Sequence, residues 1–210
     1  MKKICFINGS LRGEKASSLI FINEINFLLG DKEYQKEFIT VKLRVDQGYS
    51  TEILDKIRES DVIIIAFPLF SYCLPGGLMR LLEEYYLYIK NLGINENANK
   101  HVYAIVNSGY HNPKINDESI CVIKNFCNRL NLIFRFAIQI GCGPVTIMTK
   151  FIDFKYKKAF KTLANDINNN GIEQTDNIYI TPILPKILMD TIRLQLDKNA
   201  LKKEQKRRIK

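Results

Sequence analysis

Seven residues near the end of the first third of the chain, Asp61–Phe67 (DVIIIAF), restrict its possible folds more than any other stretch. Three consecutive isoleucines lie within it, without alternation of apolar and polar side chains. Successive strand side chains point to opposite faces, so a strand apolar at every position must be covered on both. Such strands belong in the middle of a parallel sheet held between two layers of helices.

The flanking sequence supplies the partners such a sheet needs. Lys3–Asn8 (KICFIN) reads as a strand bounded by Gly9-Ser10, and Ser17–Leu29 as a helix entered from serines that can cap it and stopped by Gly30. Glu37–Leu43 reads as a second strand, followed by a short helix with Ile53, Leu54 and Ile57 on one face. After Asp61–Phe67 come a helix over Pro75–Ile89, a strand over His101–Asn107 and a helix over Asp117–Leu130. Leu132–Ile140 and Phe154–Ile167 complete a fifth strand–helix pair. Strict alternation implies parallel strands joined by right-handed helical crossovers. Five units predict an α/β fold, a flavodoxin-like doubly wound five-stranded parallel sheet of order 2-1-3-4-5.

This domain is expected to span residues 1–176. Residues 177–210 read as an amphipathic, basic C-terminal extension, with a short apolar run at Ile178–Ile180. Its helix, over Pro185–Leu196, places Leu188, Ile192 and Leu196 four apart. Residues 198–210 hold seven lysines and arginines against Glu204, which accounts for most of the formal net charge of +9. Such a run reads first as a solvated tail that could also touch anionic lipid, nucleic acid or an acidic partner, although no nucleic acid is expected. The helix reads as packed on its own domain or a dimer mate, with a membrane surface as the sharper alternative. No stretch approaches the roughly 18 apolar residues of a membrane span, and the N-terminus lacks a signal-peptide core, so a cytoplasmic protein is expected. Five cysteines without a C-x-x-C pair and only two histidines predict no metal centre and read as small, reduced apolar fillers.

In this topology ligands bind beyond the carboxyl ends of the strands, where strand order reverses. Three loops lie there. The first, GSLRGEKASS, leads into a helix N-terminus and offers Ser10, Ser17, Ser18 and Arg12 to a phosphate. It is neither G-x-x-x-x-G-K-[ST] nor G-x-G-x-x-G. The second, FPLFSYCLPGG, places Phe70 and Tyr72 at the sheet edge, where they can hold a flat ring whose polar edge meets backbone amides; the alternative folds them back over the core. The third, NSGYHNP, brings Asn107, Ser108 and Gly109 close, followed by Tyr110 and His111. One phosphate and one flat amphipathic ring describe flavin mononucleotide, FMN.

The stretches INGSLRGEKASS, AFPLFSYCLPGGLMRLLEEY and IVNSGYHNP through IQIGCGP resemble the NADPH-dependent FMN reductase family of flavodoxin-like NAD(P)H oxidoreductases, over about residues 3–144. The resemblance implies FMN with its phosphate on Ser10, Arg12, Ser17 and Ser18. It implies a ring resting on Pro68, Leu69, Phe70 and Ser71, with Asn107, Ser108 and Gly109 at its pyrimidine side. Phe70 stands where the family usually has tyrosine, and Met79, beside Arg80, where it frequently has lysine. The cysteine cluster of the iron–sulfur relatives is missing.

The implied activity passes hydride from NADPH or NADH through flavin N5 to a small acceptor: a quinone, flavin, azo or nitro compound, or metal ion. The protein orients and tunes the cofactor and supplies no catalytic side chain, and amides at Ser108 and Gly109 stabilise charge near flavin N1. The alternative is an electron-carrier flavoprotein that does not oxidise NAD(P)H directly. A homodimer is expected because the family's flavins usually sit near a subunit interface. Tyr85, Tyr86 and Tyr88 also give one helix more aromatic surface than a single core face needs.

Overall fold

The computed structural model describes residues 1–30, 34–41, 48–93, 99–149, 153–172, 176–181, 191 and 194. Six parallel strands form one sheet of order β2-β1-β3-β4-β5-β6. They are β1 (Lys2–Asn8), β2 (Tyr34–Thr40), β3 (Val62–Pro68), β4 (His101–Asn107), β5 (Ile133–Ile140) and β6 (Ile178–Ile180). The helices are α1 (Ser17–Leu29), α2 (Thr51–Arg58), α3 (Gly76–Leu92), α4 (Asp117–Arg129), α5 (Gly143–Thr149) and α6 (Phe154–Asn168).

The flavodoxin-like order expected from sequence is present, and a sixth strand extends it. Ile178–Ile180 pairs with Ile138–Ile140, so the sheet runs past residue 176 into the segment read as an extension. Three residues carry no pattern of their own; pairing with β5 makes them a strand. β2 also begins three residues earlier than its apolar centre suggests. An edge strand pairs on one side only, which leaves its polar residues at the surface. The helix expected over 185–196 lies outside the described residues, apart from Thr191 and Leu194, and so does the basic tail. Among the described residues no helix is long and apolar enough to cross a membrane.

The continuous apolar run of β3 divides between two cores. Val62, Ile64 and Ala66 pack with Phe21, Ile22 and Ile25 of α1 and with Tyr156, Phe160 and Leu163 of α6. Ile63, Ile65 and Phe67 pack with Leu54 of α2, Leu78, Leu81 and Tyr85 of α3, and Ile120 and Ile123 of α4. Each fully buried isoleucine contributes about 1.5–3 kcal/mol relative to exposure. The two helical layers therefore hold the strand ends, and the loops leaving them, in fixed register.

No disulfide joins any of the five cysteines. Burial pushes the Cys5 and Cys127 thiols up to about 12, which keeps them inert. Cys121 departs from the filler reading, because it is exposed on α4. The tyrosines of α3 are placed largely within the chain: Tyr85 is buried, and Tyr88 donates from its hydroxyl to Asp55 Oδ1 at 2.6 Å.

Candidate functional site

β1 delivers Asn8 to the carboxyl rim, and the chain turns through a single 3-10 turn at Gly13–Lys15 into α1. Ala16, not a serine, holds the N-cap position, and no side chain bonds the first turn. The capping expected of Ser17 and Ser18 is therefore corrected. Both lie inside the helix, and the Ser18 hydroxyl turns inward to donate to Asn8 Oδ1 at 2.7 Å. The first-turn amides of an α-helix have no intrahelical acceptor, and the macrodipole is positive there. Without a side-chain cap, the amides of Ser17 and Ser18 are left for an anion.

β3 ends at Pro68, and the next residues fold into a two-residue hairpin in which Phe70 and Cys73 exchange backbone hydrogen bonds at 2.9 Å. Ser71 and Tyr72 at its tip have φ of +48° and +63°. These are values of a type I′ turn, uncommon for residues with a side chain. The amides expected to be free for a ring edge are partly engaged. Leu69 donates to the carbonyl of Asn107 at the end of β4, and Phe70 to that of Cys73 as the hairpin closes on itself. Phe70 and Tyr72 do not fold back over the core; they are 65% and 57% exposed.

The loop after β4 is tied to the one after β5. Ser108 donates its amide to Ile140, Gly143 donates to Ser108, and Cys142 donates to Tyr110, at 2.7–3.0 Å. The Ser108 amide is thus spent within the protein and is not open for the role expected of it. Gly143 is required by contact, since a Cβ there would lie 2.6 Å from Asn107 Nδ2. The Tyr72 and Tyr110 rings stack with centroids 5.9 Å apart, and their hydroxyls meet at 3.2 Å. That bond raises the Tyr72 hydroxyl above its ordinary pKa.

The loops enclose a cavity of about 400 Å³. The first contributes Ser10, Arg12 and Ser17, the second Pro68, Leu69 and Phe70, and the third Asn107, Ser108 and Gly109. Ser18 is buried behind the first loop, whereas Ser71, Tyr72 and Tyr110 sit at the rim beyond the lining. His111 does not line it either. Leu11, Pro75 and Pro144 complete the wall and were not expected. Pro144 had a legible signal in Gly141-Cys142-Gly143-Pro144, which leaves a strand at the same edge. Two polar atoms in the cavity residues, Asn107 Oδ1 and Ser108 Oγ, are buried without a hydrogen-bond partner. Asn26 Oδ1, Asn116 Oδ1, Gln139 Oε1 and Asp153 Oδ2 also lack a partner, and the Asn107 and Ser108 atoms are set apart by belonging to the cavity wall.

A parallel sheet of this order, flanked by helices and opening a polar-ended cavity at its carboxyl rim, defines a flavodoxin-like α/β protein. Solved structures agree on that fold. An NADH:FMN oxidoreductase in its apo form superposes with a TM-score of 0.60 at 14% identity, covering 83% of this chain and 91% of that one. The Trp repressor binding protein from Bacillus subtilis gives 0.58 at 15% identity, covering 82% and 99%. An azoreductase from Bacillus anthracis gives 0.53 at 12% identity, covering 80% and 99%. No protein-family model matches the chain, and no curated protein does.

Proposed function

We propose that this protein binds FMN at the carboxyl rim and acts as an NAD(P)H-dependent oxidoreductase, delivering two electrons to a small acceptor such as a quinone, flavin, azo or nitro compound. The observation that carries this reading is the asymmetry of the cavity. One end has the uncapped start of α1 with Ser10, Arg12 and Ser17; the other has the orphaned Asn107 Oδ1 and Ser108 Oγ. Between them lies the apolar wall of Pro68, Leu69 and Phe70.

FMN matches that sequence of surfaces, with a dianionic phosphate, a flat ring, and a pyrimidine edge carrying both N–H and C=O groups. Arg12 and the amides of Ser17 and Ser18 would hold the phosphate. Asn107 Oδ1 would accept from a ring N–H, Ser108 Oγ would bond the same edge, and Pro68–Phe70 would exclude water from one ring face. When bound, FMN supplies the redox chemistry, taking hydride from a nicotinamide and returning two electrons to the acceptor. The net reaction consumes NAD(P)H, a proton and the oxidised acceptor, and yields NAD(P)⁺ and the reduced acceptor. Solved proteins sharing the fold include ones described as an NADH:FMN oxidoreductase and an NADPH-quinone reductase.

The test is the visible spectrum of the purified or FMN-reconstituted protein, followed by anaerobic mixing with NADH or NADPH. Flavin bands that bleach with either donor and return on adding a quinone are expected. A colourless protein that refuses FMN overturns the reading. FMN that binds but is reduced by neither donor leaves the electron carrier in its place.

A further inference from the structure

Asn8 belongs to none of the ligand-facing residues, yet the first loop is built around its side chain. It is the last residue of β1, buried, and fixed on both sides by the pairs Asn8–Thr40 and Asn8–Ala66. Its Oδ1 accepts from the Ser10 amide at 3.2 Å and from the Ser18 hydroxyl at 2.7 Å. Its Nδ2 donates to the Gly13 carbonyl at 3.2 Å. One carboxamide therefore ties the start of the loop, its turn at φ +55°, and the first turn of α1. The loop has little other freedom. Gly9 donates to Ala66 at 2.8 Å, and a Cβ on it would stand 2.8 Å from Phe67 Cβ and from Leu78 Cδ2.

We propose that Asn8 is the positioning residue of an anion-binding loop, and that Ser18 meets a bound phosphate through its backbone amide while its hydroxyl serves Asn8. The chemistry is specific to a carboxamide, because two donors converge on one end and an acceptor faces the other. Aspartate would set a second acceptor against the Gly13 carbonyl and add negative charge beside an anion site. The Ser18 proton is committed to Asn8, so that side chain has no hydrogen left for a phosphate. Ser17, one residue earlier and lining the cavity, remains able to donate.

This inference rests on the FMN reading for its most sensitive probe, and a second probe separates the two. FMN and riboflavin differ only in the phosphate, so the ratio of their affinities reads the loop alone. Asn8→Ala should lower that ratio about tenfold, the cost of losing oriented buried donors, with riboflavin affinity unchanged. Asn8→Asp should lower it further. Ser18→Ala, a milder change in the first helical turn, should lower it in the same direction, and the double variant should do little more than Asn8→Ala, since the two groups act as one unit. An unchanged ratio in folded Asn8→Ala and Ser18→Ala overturns the proposal, as does an equal loss of FMN and riboflavin. Inorganic phosphate, followed through the amide resonances of residues 10–18, should shift the wild-type signals and not those of Asn8→Ala. If the wild type refuses both flavins yet shows that phosphate response, the FMN reading falls and the role of Asn8 stands. If it answers neither flavin nor phosphate, both fall.

Discussion

The two rims of the same sheet treat their polar groups in opposite ways. At the amino-terminal rim Asp166 is fully buried and completely engaged. It accepts the Tyr103 hydroxyl at 2.8 Å and both Nε and Nη2 of Arg135 at 3.1 Å. At the carboxyl rim Asn107 Oδ1 and Ser108 Oγ are buried without partners, Ser71, Tyr72 and Cys142 hold positive φ, and the rings of Phe70 and Tyr72 stand in solvent. Buried atoms elsewhere, such as Asn26 Oδ1 and Asp153 Oδ2, also lack a partner, so the contrast rests on Asn107 and Ser108 lining a cavity. Under the proposed function, the unsatisfied groups at the cavity are the ones a ligand would complete.

Removing Asp166 is the most severe way to break this comparison. Asp166→Ala removes the three hydrogen bonds that the carboxylate accepts from Tyr103 and Arg135, and should cost about 3–5 kcal/mol of stability in urea unfolding. FMN affinity of the remaining folded protein should be unchanged, because the change lies at the opposite rim. Ser108→Ala should behave in reverse. Deleting an orphaned hydroxyl leaves the ligand-free protein as stable or raises its stability by about 1 kcal/mol, whereas FMN binding weakens about tenfold. A loss of stability as large as that of Asp166→Ala would show that the Ser108 hydroxyl is structural and end the contrast.

The smallest effect concerns His101, which opens β4 beside the Asp166 network. Burial, and then the charges of Arg135 and Lys2, lower its pKa below the ordinary 6.5, with Asp166 opposing them. The unfolded chain then takes up a proton at a higher pH than the folded one. This histidine should therefore favour unfolding as pH falls from about 6.5 towards its folded pKa, and contribute no slope above that window. His101→Gln should flatten this part of the stability–pH curve, measured by urea midpoints at successive pH values. A curve unchanged by the substitution would remove His101 from the comparison.

The elements legible in the sequence were those whose own residues demand an environment. Asp61–Phe67 could only be a covered strand, and the periodic faces of α1, α3, α4 and α6 could only be helices against a sheet. β6 was not legible as a strand, because three residues become one only beside β5, and α5 offered too short a pattern. At the site, the loops and most lining residues were readable from the strand ends. The direction of individual side chains was not: nothing local showed that the Ser18 hydroxyl turns inward to Asn8, or that the Asn8 side chain reaches across the first loop.

The sequence by itself determined the parallel order of the strands and the rim whose loops line the cavity, since apolar periodicity and chain order act over a few residues at a time. The tertiary structure alone decided which hydroxyls and amides are consumed within the protein and which face the cavity. That division depends on partners far apart in the chain, such as Ser108 with Ile140 and Leu69 with Asn107, whose meeting no local pattern encodes.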